Sequence, residues 1–210
     1  VFPAGVGGHN SRMAEQERVE LRDGSAVILR PVRPEDRELF AEGFDRMSGE
    51  SRYRRFMSHK KKLSERELDF FTHLDHDLHE AIGAIDEATG AGAGVARMHR
   101  RPDDPEVAEA AVTVVDDWQG KGLGGLLLDR LTARARELGV RHFEASLFTT
   151  NKAMLRLFQK LGCMRSQRDG LDVMAIDVEL PVGEQDEALS SALRSVAEGS
   201  SAVVEAGTAA

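Results

Sequence analysis

Four glycines and a lysine crowded into Asp116-Asp117-Trp118-Gln119-Gly120-Lys121-Gly122-Leu123-Gly124-Gly125 constrain this chain more than any other segment. The run follows an apolar stretch, Val107 to Val115, that reads as a strand. It precedes residues 122 to 138, which place Leu127, Leu131, Ala135 and Leu138 on one helical face and end at Gly139. Glycine tolerates positive φ and lets a ligand reach the backbone without a Cβ in the way. A helix start leaves N–H groups unpaired and carries about half a positive charge. Strand, glycine loop and helix together form a seat for phosphate, to which Lys121 adds a full charge. A turn without a ligand needs fewer glycines than this.

The rest of the body reads as mixed α and β. Val19 to Arg22 and Ala26 to Arg30 flank Asp23-Gly24, a hairpin signal. Pro34 with Glu35 and Asp36 suits a helix start, and Phe40, Phe44 and Met47 then recur on one face. Ser64 and Glu67 form a capping box, with Leu63 placed to staple onto Leu68. Strands are expected at Ala81 to Ile85, Val95 to Met98, His142 to Phe148, Cys163 to Ser166 and Val173 to Val178. Asn151 can cap a helix whose Met154, Leu155, Phe158 and Leu161 face inward before Gly162. Strands come in succession early and alternate with helices only late, which excludes a Rossmann repeat and a barrel.

Composition bounds the reading. The 210 residues leave room for one domain plus tails, with a formal net charge of −8 that argues against general nucleic-acid binding. No stretch approaches the roughly 18 apolar residues of a membrane span. The start has neither a basic region nor a long apolar core, so no signal peptide is expected. A single cysteine, Cys163, excludes an internal disulfide and points to a reducing, cytoplasmic setting. The expected division is an arm over 1–17, one domain over 18–180, and a tail over 181–210 with weak helical spacing between 184 and 197.

Three phosphate motifs compete for the glycine loop. A Walker A pattern fails, because Gly122 follows Lys121 where Ser or Thr is required and Val115 holds the first glycine position. The dinucleotide pattern matches at Gly120, Gly122 and Gly125, but in mid-chain and with too little chain after it. The pattern Gln-x-x-Gly-x-Gly, filled by Gln119, Gly122 and Gly124, fits the loop together with its flanking elements.

On these residues the chain resembles the GNAT superfamily of acyl-CoA-dependent N-acyltransferases, most specifically over Glu109 to Gly162. Glu50 to Phe56, Leu63-Ser64 and Thr72 to His79 are similar to one branch, the bacterial Pat-type protein lysine acetyltransferases. The resemblance implies one α/β domain with a mixed, twisted sheet of six or seven strands flanked by about four helices. It implies that Gln119, Gly120, Lys121, Gly122, Leu123, Gly124 and Gly125 hold the pyrophosphate of acetyl-CoA. The strand at Val114 and Val115 would splay from its neighbour and pair with pantetheine, and Asn151 would sit near the far end of the co-substrate. Glu109 matches a glutamate that acts as base in many members. The implied partners are acetyl-CoA and an amine, with a protein lysine favoured, no metal, no nucleic acid and no membrane, in a monomer or homodimer.

The chemistry gives that base a task. A lysine ammonium of pKa ~10.4 costs roughly 4.6 kcal/mol to deprotonate at pH 7, so a positioned carboxylate matters. An α-amine near 8 costs only about 1.4 kcal/mol, which keeps a small-molecule acceptor as an alternative. A non-catalytic acyl-CoA sensor is a second alternative. It draws on Phe158, which stands where the family often carries a tyrosine presumed to protonate the thiolate. Tyr53, the one tyrosine, lies far away in sequence. Asp116 and Asp117 read as turn formers or caps. His73, His76 and His79 recur at a spacing that drifts around a helix and suits a polar helix end better than a metal. Arg52, Arg54, Arg55 and Lys60 to Lys62 read as a solvated helix face, or else as a contact for the CoA 3′-phosphate or an acidic partner surface, and Cys163 reads as a buried thiol.

Overall fold

The computed structural model describes residues 16–170 and 172–181. Most of the expected arm, and the tail with its helical spacing, lie outside them. The described elements are β1 (Glu17–Glu20), β2 (Ala26–Pro31), α1 (Arg37–Asp45), α2 (Gly49–Phe56), α3 (Glu65–Thr72), β3 (His79–Asp86), β4 (Gly92–Arg100), β5 (Val107–Val114), α4 (Leu123–Glu137), β6 (His142–Phe148), α5 (Lys152–Gln159), β7 (Met164–Arg168) and β8 (Val173–Glu179). One mixed sheet holds all the strands in the order β1-β2-β3-β4-β5-β6-β8-β7. The described sheet has eight strands rather than six or seven. The difference arises at its edges, where β1 pairs with β2 and β7 with β8, so both outer hairpins extend the same ladder. The described residues hold five α-helices where about four were expected.

The two faces of the sheet differ in composition. One carries Ile82, Ala84, Ala96, Met98, Ala108, Ala110, Val112, Phe143, Ala145, Ile176 and Val178, all buried. Small residues in the central strands let α4 approach, and its Leu123, Leu126, Leu127 and Leu131 are almost fully buried. Burying each such leucine stabilises the fold by roughly 1.5–3 kcal/mol. The helical period legible in the sequence is therefore the period of the core contact. The opposite face is covered by α1, α2 and α3 over β2 to β4, and α2 reaches β5 and β6.

Local signals held where they were local. Ser64 Oγ accepts from the Glu67 N–H, and Glu67 Oε2 accepts from the Ser64 N–H at 2.9 Å, completing the capping box of α3. The hairpin turns through Gly24 at φ +81°, with Glu20 opposite Ala26. Three readings need correction. The histidine run is a helix end only at His73, the C-cap of α3; His76 lies in the connection and His79 already begins β3. The basic cluster is a solvated face only in part: Arg54, Lys61 and Lys62 are exposed, but Arg52 donates to the Phe44 and Asp45 carbonyls, and Arg55 donates to Thr113 Oγ1 at 3.0 Å. Cys163 is exposed, since the strand beside it is the outer partner of β8.

Candidate active site

The sheet forks at Glu109. β5 and β6 are its one parallel pair, and they match only over Val107–His142, Ala108–Phe143 and Glu109–Glu144. Beyond that rung β5 continues along β4 while β6 continues along β8. Val115 donates its N–H to Ala93 on the β4 side, so by strand alternation Val112 and Val114 turn their N–H groups into the gap. Backbone groups inside a sheet normally find partners, so a fork that leaves them facing open space is ready to pair with an extended ligand.

The glycine loop closes the wide end of the fork. After β5, a single 3-10 turn (Asp116–Trp118) leads to Gly120 at φ +76° and Gly122 at φ +95°, the latter being the N-cap of α4. A side chain is strained at either angle, and a Cβ on Gly120 would meet only open space. Among the described residues, the N–H groups of Gly120, Lys121, Gly122, Leu123 and Gly124 have no backbone acceptor. Five adjacent donors at a 15-residue helix's N-terminus suit a pyrophosphate and would leave its backbone cradle unfilled by side chains.

The loop is tied to α2. Asp116 accepts from the Ser48 N–H at 2.6 Å and from Ser51 Oγ at 2.6 Å, while Gln119 Nε2 donates to the Val114 carbonyl at 3.1 Å and to Ser51 Oγ at 3.2 Å. Burial opposes ionisation of Asp116, but the bonds from Ser51 and Ser48 outweigh it and hold the carboxyl below its usual range. Gln119 thus acts through its side chain as a brace. Lys121 does not point at the donors: its Nζ lies 3.0 Å from Asp23 Oδ2 and 4.6 Å from the centre of the Trp118 ring. The Ser25 hydroxyl, then Lys121, holds Asp23 down to about 2. Asn151 caps α5, its Oδ1 accepting from the Met154 N–H at 3.3 Å.

Glu109 occupies the crotch of the fork. It is exposed and makes no hydrogen bond or ion pair among the described residues. Register aligns it with neighbours in a row across the sheet: His79, His99, Glu109, Glu144, Asp177 and Arg165. The centre of that row is acidic, with Glu144 3.7 Å from Arg101 and Asp177 3.0 Å from His142 Nδ1. Phe158 is 1% exposed and packs in the core, so it has no proton to give and no place in the gap. Tyr53, unassignable from sequence, stacks on Phe148 with ring centroids 5.1 Å apart, because α2 crosses above both arms of the fork. Arg55 reaches β5 from the same helix. Neither residue carried a local sequence signal, since both placements depend on where α2 lands.

Residues 26–164 match the family described as "Acetyltransferase (GNAT) domain". The chain belongs to the GNAT acetyltransferase family. It is 34% identical over 163 residues to the acetyltransferase Pat of Mycolicibacterium smegmatis, covering 78% of this chain and 48% of that protein. It is also 34% identical over 151 residues to the acetyltransferase PA5475 of Pseudomonas aeruginosa, covering 71% and 80% respectively. The GNAT domain of S. lividans PAT superposes with a TM-score of 0.73 at 28% identity, over 81% of this chain and all of that one. The chain spans about half the length of the Mycolicibacterium Pat protein. The donor set of the glycine loop and the β5 edge fits the pyrophosphate and the extended arm of an acyl-CoA.

Proposed function

We propose that this chain is an acetyl-CoA-dependent N-acetyltransferase whose acceptor is a lysine side chain of a protein. One observation carries the reading: an exposed carboxylate, Glu109, stands at the fork where β5 backbone donors turn into the gap, in the middle of an acidic row. The likeness to Pat acetyltransferases supports the choice of acceptor. A lysine arriving on a protein surface meets Glu109, Glu144 and Asp177 on an open sheet face, and three carboxylates favour a cation there.

The thioester supplies an electrophilic acyl carbon: a C–N bond forms there and the C–S bond breaks. The chain's own residues do the rest. Five loop N–H groups hold the pyrophosphate, and the β5 edge aligns the pantetheine arm by strand-like pairing. The Glu109 carboxylate takes the proton from the ammonium, so that the neutral amine can attack. The N–H groups of Val112 and Val114 face the developing oxyanion. With Phe158 buried, the departing thiolate leaves as such or is protonated by water.

The test is mass spectrometry of a protein mixture incubated with the chain and acetyl-CoA, beside Glu109→Gln. Lysine ε-acetylation that depends on the chain, and falls about 10²–10⁴-fold in rate in the variant, is the expected outcome. Acetyl-CoA affinity should be unchanged, since Glu109 lies outside the loop. Acetylation confined to free amino acids or polyamines would move the acceptor to small molecules. Unchanged turnover in Glu109→Gln would remove Glu109 from its role.

A further inference from the structure

On the face of the sheet away from α4, helices α1, α2 and α3 enclose a pocket whose empty space, mouth included, is about 740 Å³. Its walls are largely apolar, with Phe40, Phe44, Phe56 and Phe71 supplied by the helices and Val95 and Val115 by the strands. Its charges do not balance. Arg30 and Asp36 face it as a closed pair, bonded twice at 2.7 and 2.6 Å. Arg55 and Arg97 face it too, and among the described residues neither has a carboxylate within 4.0 Å. Arg55 donates to Thr113 Oγ1, and burial lowers its pKa more than the nearby Glu109 carboxylate raises it. Arg97, 7% exposed, contacts the Phe70 carbonyl and His79 Nε2 and lies over the Phe70 and Phe71 rings.

His79 supplies no countercharge. Burial, then the charge of Arg97, holds its imidazole down to about 4, so it is neutral at physiological pH. Burial, then the charge of Arg55, pushes Arg97 down to about 9, still protonated at neutral pH. Guanidinium groups do not give up their protons in proteins, so two cations share one largely apolar pocket. A buried charge without a partner is expensive, and an anion between the two would relieve it. The register places them for this. Thr113, which anchors Arg55, stands two residues from Ala111, the β4–β5 partner of Arg97, about 7 Å along one face.

We infer that this pocket binds an amphiphilic monocarboxylate: a small molecule whose carboxylate lies between Arg55 and Arg97 and whose aryl or alkyl body fills the aromatic wall. Guanidinium matches carboxylate geometry with parallel N–H donors. Apolar walls with a few convergent polar groups are the usual form of a small-molecule site. Inorganic phosphate can meet the same two guanidinium groups but brings no apolar body to cover the phenylalanine rings. The site lies beside the fork, on the same face of β5 as Glu109, with Thr113 four residues further along that strand.

The experiment is calorimetric titration of the full chain, free of acetyl-CoA, with 3-phenylpropionate, its neutral analogue 3-phenylpropanamide, and inorganic phosphate. Saturable one-to-one binding of the carboxylate is expected, with the amide and phosphate each at least about tenfold weaker. Arg55→Gln should weaken the carboxylate by at least about tenfold. Gly43→Leu gives a second readout that leaves both arginines in place. Gly43 lines the pocket from α1, and a Cβ there would meet only Val115, at 3.9 Å. The added side chain fills the pocket and should abolish binding while thermal unfolding stays cooperative. Equal affinity for carboxylate and amide, phosphate binding as tight as the carboxylate, undiminished binding in the folded variants, or no saturable binding by the wild type would each overturn the inference.

Discussion

Gly122 shows how one backbone angle ties stability to binding. It sits at φ +95°, ψ −8° as the N-cap of α4, where any Cβ meets the neighbouring peptide. Gly122→Ala should lower stability by about 1–2 kcal/mol in urea unfolding and weaken acetyl-CoA binding as well. Strain at that residue is relieved by turning the N–H groups on either side out of the cradle. Loss of stability with unchanged affinity would show that the loop amides do not hold the ligand. This residue was legible in advance because its requirement is local: a glycine motif before an amphipathic helix names its own conformation. Glu109 could be singled out from a resemblance but not placed, because the fork depends on β6 leaving β5 after Glu144. Arg55 and Tyr53 could be noticed, in a basic cluster and as the one tyrosine, but not placed. A basic or aromatic residue on a short helix reads the same from sequence whether it faces water or a distant strand.

At the scale of elements, α2 and the glycine loop behave as one unit joined through Asp116. Its carboxylate accepts from the Ser48 N–H, the Ser48 and Ser51 hydroxyls and Gln119 Nε2, so its loss leaves several donors of the helix start and the loop without an acceptor. Asp116→Ala should destabilise the chain by about 1.5–3 kcal/mol and weaken acetyl-CoA binding together with it. Ser64→Ala supplies the contrast. It removes the cap of α3, away from the loop, and should cost about 1 kcal/mol with affinity intact. Equal effects of the two variants on affinity would mean that general softening, and not the Asp116 tie, sets the loop. The same pair explains what sequence reveals about elements. The Ser64–Glu67 box closes within four residues and can be read from spacing, whereas the acceptors of Ser48 and Ser51 lie 65 or more positions away. Strand membership has the same limit. Each hairpin can be recognised, but whether its outer strand joins the common sheet is decided by neighbours that the local pattern does not name.

Across the whole molecule, the charge arrangement of the pocket should be visible in how stability depends on pH. His79 is 7% exposed and faces Arg97, His99 and the Phe70 ring, with Asp75 and His76 on the segment leading into β3. Its folded value of about 4 lies below the unfolded value of 6.5. The unfolded chain therefore binds the extra proton first, and stability falls as pH drops from about 6.5 towards 4, by about 3 kcal/mol for this group alone. Carboxylates act in a lower window with the same sign. Glu67 is held down to about 2, chiefly by the Lys60 ammonium and the Ser64 N–H, so its contribution is complete above about 4.5 and is lost towards pH 2. Asp36 stays below its usual range because Arg30 and the Arg33 N–H outweigh the opposing effect of burial, and it follows the same course. Two separate declines are expected in urea midpoints measured from pH 7.5 to 3. His79→Asn should flatten the upper decline while leaving the lower one in place. The slope is the quantity to compare, because the substitution also alters the contact with Arg97 and shifts absolute stability at every pH. An unchanged slope between pH 6.5 and 4 in the variant would show that His79 is free to protonate in the folded chain. Arg97 would then share its pocket with a third cation under mild acid, and a carboxylate ligand should bind more tightly as pH falls through that window.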